Sequence, residues 1–111
     1  MSKPVVFVIL LTAALLEAGG DALVRTGLGV SGAAGRFVWI AGGGLVLLAY
    51  GVVVNTPAWD FGRLLGVYVV VFFVVAQAIG WAIFNQPPSL STLVGGSLIV
   101  VGGVVVSAGF G

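Results

Sequence analysis

The sequence contains no cysteine and no histidine. Without thiols there is no disulfide framework and no thiolate nucleophile, and without imidazole there is no His-containing zinc site. Charge is almost as scarce: four Lys plus Arg and three Asp plus Glu make up 6% of the 111 residues. A water-soluble domain gives about a quarter of its positions to charge because its surface must be hydrated. So little charge excludes a soluble globular enzyme, a disordered tail and a nucleic-acid binder with a basic face. The formal net charge of +1 identifies no partner.

What the chain does contain is apolar: 60% hydrophobic residues and a mean hydropathy of +1.30. A spanning helix needs about 20 mostly apolar residues to cross about 30 Å of hydrocarbon. Four stretches meet that length, at about residues 4–24, 37–54, 63–84 and 91–110. Pro4 opens the first, where a missing N–H is harmless, and Gly27 and Gly29 follow its end. Asn55-Thr56-Pro57 closes the second, and Asn85-Gln86-Pro87-Pro88 breaks the third. Short connections make successive helices antiparallel. The run from Val69 to Val75 would read as a strand in water, but a barrel strand takes only about 9 to 11 residues and alternates polar with apolar. The expected fold is therefore all-α, a single four-helix transmembrane domain over residues 1–111. Residues 1–20 also resemble a signal peptide, with Lys3 before an apolar core; Glu17 fits a cleavage region poorly, and three further spans follow.

Positive charge in short loops sets the direction of insertion. Lys3 and Arg63 fall on the side of the N-terminus and Arg25 and Arg36 on the other, two against two. That balance fits a small protein with few charges. It also fits insertion in both orientations, which would allow an antiparallel homodimer related as an inverted repeat.

Glu17 lies about two thirds of the way along the first span, and Asp21 and Arg25 follow at steps of four, so the three share one helical stripe. Asp21 and Arg25 stand near enough to the helix end to form a boundary ion pair. Glu17 has no basic residue one turn before it, and small or apolar residues flank it. An ionised side chain near mid-membrane costs about 2.5–3.5 kcal/mol on insertion scales. Such a carboxyl group either is protonated or holds a cation, and that exclusive choice is the minimum machinery of proton-coupled cation exchange. The alternative is a neutral Glu17 bonded to a backbone carbonyl for packing.

Gly95, Gly102 and Gly109 recur at intervals of seven in the last span, with Gly96 and Gly103 beside them. Close approach at small residues supplies much of helix association in lipid, so this stripe is a candidate dimer interface or, alternatively, an intrasubunit seam. Gly42-Gly43-Gly44 offers a close crossing in the second span. Trp39, Trp59 and Trp81 lie near span ends, where interfacial anchoring is the default. Tyr50 and Tyr68 are amphipathic aromatics; Tyr68 lies deeper and forms an i, i+4 pair with Phe72. An aromatic ring beside a carboxylate suits an organic cation, and packing alone would equally account for Tyr68. Gln77, the polar residue deep in the third span, is a candidate to line the same cavity.

Together these residues resemble the small multidrug resistance transporters of the drug/metabolite transporter clan, and most closely their YnfA-like branch. Glu17-Ala18-Gly19-Gly20 with Arg25 is similar to the family's first-helix pattern, and Gly95 to Gly102 with Leu98-Ile99 to its fourth. Pro57-Ala58, Gly62-Arg63 and Tyr68 are similar to the YnfA-like loop and third helix. The resemblance implies a multi-pass homodimer in the bacterial cytoplasmic (inner) membrane that exports small organic cations, multidrug or guanidinium-like, against protons, with membrane lipids as its surroundings and no cofactor, metal, nucleic acid or enzymatic activity. Glu17 would be the shared proton and substrate carboxylate, Tyr68 the third-helix substrate aromatic, and Gly95 with Gly102 the dimer contact. Two positions differ from the better-known branch: Val70-Val71-Phe72 stands where that branch has a Gly-Val-Gly hinge, and Asp21 stands where a neutral hydroxyl residue is usual. A non-transporting membrane subunit that stabilises or regulates another complex, and a passive channel or lipid-handling protein, are the alternative functions.

Overall fold

The computed structural model describes residues 1–109 and consists of four helices: α1 (Lys3–Leu28), α2 (Ala33–Val54), α3 (Phe61–Phe84) and α4 (Leu90–Ser107). Each is long and apolar enough to cross a bilayer, so the chain is an all-α membrane protein. The fourth span was expected to reach Phe110; the helix ends at Ser107, and residue 110 lies outside the described residues.

Local chemistry sets the helix ends. Pro4 occupies the first turn of α1, where its missing N–H leaves no helical carbonyl unserved. Asn55 and Thr56 return side-chain hydrogen bonds of 2.8 and 3.1 Å to the Gly51 and Val52 carbonyls at the end of α2. Asn85 closes α3 in the left-handed region at φ 53°, one of the few non-glycine residues that adopt it readily. Ser89 caps α4 by accepting from the Thr92 N–H at 3.2 Å. Within the spans, Thr12, Thr26 and Ser97 donate to carbonyls one turn back at 2.8–2.9 Å. Hydrocarbon offers such hydroxyls no other partner.

α1 runs one turn beyond its expected end, because Gly27 is a packing residue rather than a terminator. A Cβ at Gly27 would lie 2.7 Å from the Trp39 Cβ and 2.9 Å from Ile40 Cγ1. α2 correspondingly begins at Ala33 and takes Arg36 into its first turns.

The backbones pack α1 against α2, α1 against α3, and α3 against α4, placing the helices in the order α2–α1–α3–α4. The body is flattened, 51 × 34 × 19 Å. Its core is narrow and lies where α1 meets the end of α2 and the start of α3: Val6, Leu10, Ala13, Ala14 and Ala18 against Val54, Leu64, Val67, Tyr68 and Val75. Most other large apolar side chains face outward, as lipid-facing helices require; Phe37, Leu45 and Leu98 are at least 70% exposed.

Glycines set the two closest crossings. A Cβ on Gly43 would stand 2.8 Å from the Gly20 carbonyl oxygen and 3.0 Å from the Val24 nitrogen, whereas Gly42 and Gly44 face open space. Only the middle residue of the triple glycine therefore serves the α1–α2 contact. On α4, Gly96 and Gly103 receive the side chains of Phe73 and Val70, while Gly95 and Gly102 have nothing near them. The glycine stripe thus splits into an intrasubunit seam and an open line. Gly109, expected to continue that line, lies past the helix end at φ +77° beside Arg63, because α4 stops two residues before it.

Overpacking a close contact costs about 1–3 kcal/mol. Gly43→Ala is expected to lower the thermal midpoint of the detergent-solubilised protein clearly, and Gly42→Ala and Gly44→Ala to leave it unchanged or slightly raised. Circular dichroism melts of the three variants check this.

Candidate functional site

Glu17 stands at mid-helix in α1, among Ala13, Ala14 and Ala18, all of which are buried. These small side chains bring α3 close to α1, and Tyr68 of α3 reaches across the seam. Its hydroxyl donates to Glu17 Oε1 at 2.7 Å, the ordinary length of a well-formed O–H···O hydrogen bond. Tyr68 is 4% exposed and Glu17 is half-buried. The tyrosine is therefore fixed within the core while the carboxyl group keeps access to the outside.

Tyr68 is held on both sides by aromatic rings. Tyr50 of α2 packs with its centroid 5.7 Å away, and Phe72 lies one turn along α3 at 6.0 Å, both tilted by about 30°, within the usual range for aromatic pairs. Three helices thus contribute to one cluster: Glu17 from α1, Tyr50 from α2, and Tyr68 with Phe72 from α3. In a low-dielectric setting the negative faces of these rings favour a cation near the carboxylate.

Asp21 lies one turn beyond Glu17 on the same face of α1 and is exposed. The expected Asp21–Arg25 ion pair is not formed among the described residues. Arg25 instead lies over the ring of Phe84, 5.2 Å from its centroid. Both residues line a cleft of ≈ 260 Å³ between the outer halves of α1 and α3, with Ala18, Phe72 and Gln86 also on its wall. Because Phe72 packs on Tyr68, the cleft ends one ring away from the Glu17–Tyr68 bond.

Gln77 is not brought into this cluster. It follows Tyr68 by nine residues, which on an α-helix is about half a turn out of phase. It falls instead on the side of α3 that carries Val70 and Phe73, the residues packed on α4. Gly95 and Gly102 are far from Glu17 in the helix order, on the outer helix α4. Nothing in the residue pattern marks Phe84 as a partner of Arg25. The i, i+4 rule reads only contacts within one helix, and this one joins two.

A carboxyl group in a narrow aromatic cluster, carried by four membrane-crossing helices, defines a polytopic integral membrane protein with an intramembrane ionisable site. The chain is 34% identical over 102 residues to a UPF0060 membrane protein of Herpetosiphon aurantiacus, covering 89% of each chain. It is 30% identical over 103 residues to the UPF0060 membrane protein YfjF of Bacillus subtilis, covering 92% of each. The chain belongs to the UPF0060 family of membrane proteins. No family model and no solved structure matches it.

A hydrogen bond to a charged group is worth about 1.5–3 kcal/mol and a neutral one about half that. A double-mutant cycle of Glu17→Ala and Tyr68→Phe, read in the unfolding free energy of the solubilised protein, is therefore expected to show coupling of about 1–3 kcal/mol. The same cycle with Gln77→Leu in place of Glu17→Ala is expected to show none.

Proposed function

We propose that this protein is a proton-coupled exporter of small organic cations, of the multidrug or guanidinium-like kind, working as a homodimer in the bacterial cytoplasmic membrane. The observation that carries the reading is the Glu17–Tyr68 bond of 2.7 Å inside an aromatic cluster at mid-membrane. A carboxyl group there holds a proton or a cation but not both. A proton arriving from one side releases the cation there and leaves the carboxyl group neutral; once that proton is lost to the other side, the regenerated carboxylate captures a cation from that side. Tyr68 donates to the carboxyl group and holds it in place beside the cation. Tyr50 and Phe72 supply ring faces to the cation. Asp21, one turn away, adds negative charge along the same face.

Motif resemblance to the small multidrug resistance transporters, and especially to their YnfA-like branch, supports this reading. The homodimer is supported by the open line of Gly95 and Gly102 on α4, which no described residue of the same subunit approaches, and by the even division of loop charge. A single copy is thin and narrow-cored, and a second copy would enclose the exposed side of Glu17.

Glu17→Gln keeps the size and polarity of the side chain but can release no proton. In vesicles reconstituted with the full chain, this variant is expected to lose proton-driven accumulation of guanidinium or ethidium, while the wild type retains it. Transport by the variant at the wild-type rate would defeat the assignment. Tyr68→Phe leaves the carboxyl group without the donor that orients it toward the cation. Apparent cation affinity at fixed pH is expected to fall about tenfold, the equivalent of about 1.4 kcal/mol. Equilibrium binding of guanidinium to the solubilised protein measures it.

A further inference from the structure

A second groove opens at the opposite end of the α1–α3 seam, where α1 begins and α4 ends. Val67, Val70 and Val71 of α3 form its floor, with Phe7 of α1 and Val104 of α4 on its walls, and its volume is ≈ 270 Å³. Lys3 and Ser107 lie on its rim, and Arg63 reaches that rim through the Ser107 carbonyl. Lys3 Nζ donates to the Ser107 carbonyl at 3.3 Å, and Arg63 Nη2 donates to the same oxygen at 3.2 Å. The Arg63 guanidinium is held over the Trp59 ring at 4.7 Å, and its Nε is buried without an acceptor.

Among the described residues, the charged groups bonded at this rim do not balance. The C-terminal end of a helix supplies about half a negative elementary charge, set against two full positive charges that meet at one neutral oxygen. Neither cation is bonded to a carboxylate among the described residues. An anion with at least one full charge is the complement. The groove continues inward from the rim: Arg63 to Val71 is eight residues, about 12 Å along the helix, and that wall is valine. A free inorganic anion would satisfy the rim and leave the valines uncovered. An anionic phospholipid satisfies both, with its phosphate at the rim and an acyl chain on the floor.

We propose that the Lys3–Arg63 groove is a binding site for an anionic phospholipid, whose phosphate bridges the two cations and whose acyl chain lies along Val67, Val70 and Val71. The site is separate from Glu17 and does not depend on the transport reading. Basic residues at a membrane surface gain about 1 kcal/mol each from anionic lipid, so the preference for a singly charged lipid over a zwitterionic one is about tenfold or more.

The test uses the full chain in detergent, equilibrated with equal amounts of phosphatidylglycerol and phosphatidylcholine, with bound lipid counted by native mass spectrometry. The wild type is expected to retain one phosphatidylglycerol with about tenfold preference. Lys3→Gln with Arg63→Gln should bring the two lipids near parity, and Arg36→Gln, a cation at the other end of the molecule, should leave the preference unchanged. Val104→Trp, which fills the groove from its exposed wall without altering charge, should reduce retained lipid and keeps the test decisive if the double variant folds poorly. Equal retention of the two lipids by the wild type would overturn the proposal. So would a loss in Arg36→Gln as large as in the double variant, or complete displacement of phosphatidylglycerol by millimolar inorganic phosphate. Disulfide cross-linking of Val104→Cys between two copies, with no lipid retained, would assign the groove to a subunit contact instead.

Discussion

A carboxyl group in hydrocarbon must find its hydrogen-bonding partners within the protein, and the placement of Glu17 imposes that requirement on the surrounding structure. The small residues Ala13, Ala14 and Ala18 are buried around it, so that α3 can approach and deliver the Tyr68 hydroxyl at 2.7 Å. Tyr68 in turn needs its ring fixed, and Tyr50 and Phe72 fix it from two helices. The α1–α2 crossing at Gly20 and Gly43 brings α2 against α1 and so places Tyr50 within reach of Tyr68. A larger residue at Gly43 would therefore be felt at the carboxyl group, through the tilt of α2.

The same rule governs the rest of the polar inventory. The aliphatic hydroxyls of Thr12, Thr26 and Ser97 bond back to their own helix. The cations are drawn to helix ends or aromatic rings: Lys3 and Arg63 to the end of α4, Arg25 to Phe84. No polar or charged residue is fully buried among those described. Glu17 is the exception in position, being half-buried at mid-helix and partnered from another helix. A group so placed contributes little to stability that a leucine could not contribute better, and its placement there is what points to chemistry.

The four helices were legible because each apolar run is long enough to span and is bounded by Pro, Gly or Asn. Their precise ends were less so. Gly27 looks like a terminator in the sequence, yet it is a contact point for Trp39 and Ile40, and nothing local distinguishes the two roles. The triple glycine announced a close crossing but not which of its three members makes it. Helical phase alone separates Gln77 from Tyr68, nine residues apart and about half a turn out of register; polarity by itself does not put a residue into the cluster. Helical phase equally placed Asp21 beside Arg25, and there it misled, because Phe84 of another helix offers the guanidinium a better resting place. The proximity of Glu17 to Tyr68, 51 positions apart, depends on how α1 and α3 pack, which pattern alone does not specify; the family resemblance had paired the two residues in role, and the fold pairs them in space.

Glu17 is the one glutamate in the chain, so a single carboxyl resonance reports it in protein labelled with 13C-glutamate. Titrating that resonance in lipid bilayers, with and without guanidinium, measures directly whether proton and cation compete for one group. The account predicts a titration whose midpoint moves to lower pH as guanidinium is added, and the movement should shrink in Tyr68→Phe. A resonance that titrates identically with and without the cation, or that does not titrate at all, would contradict it.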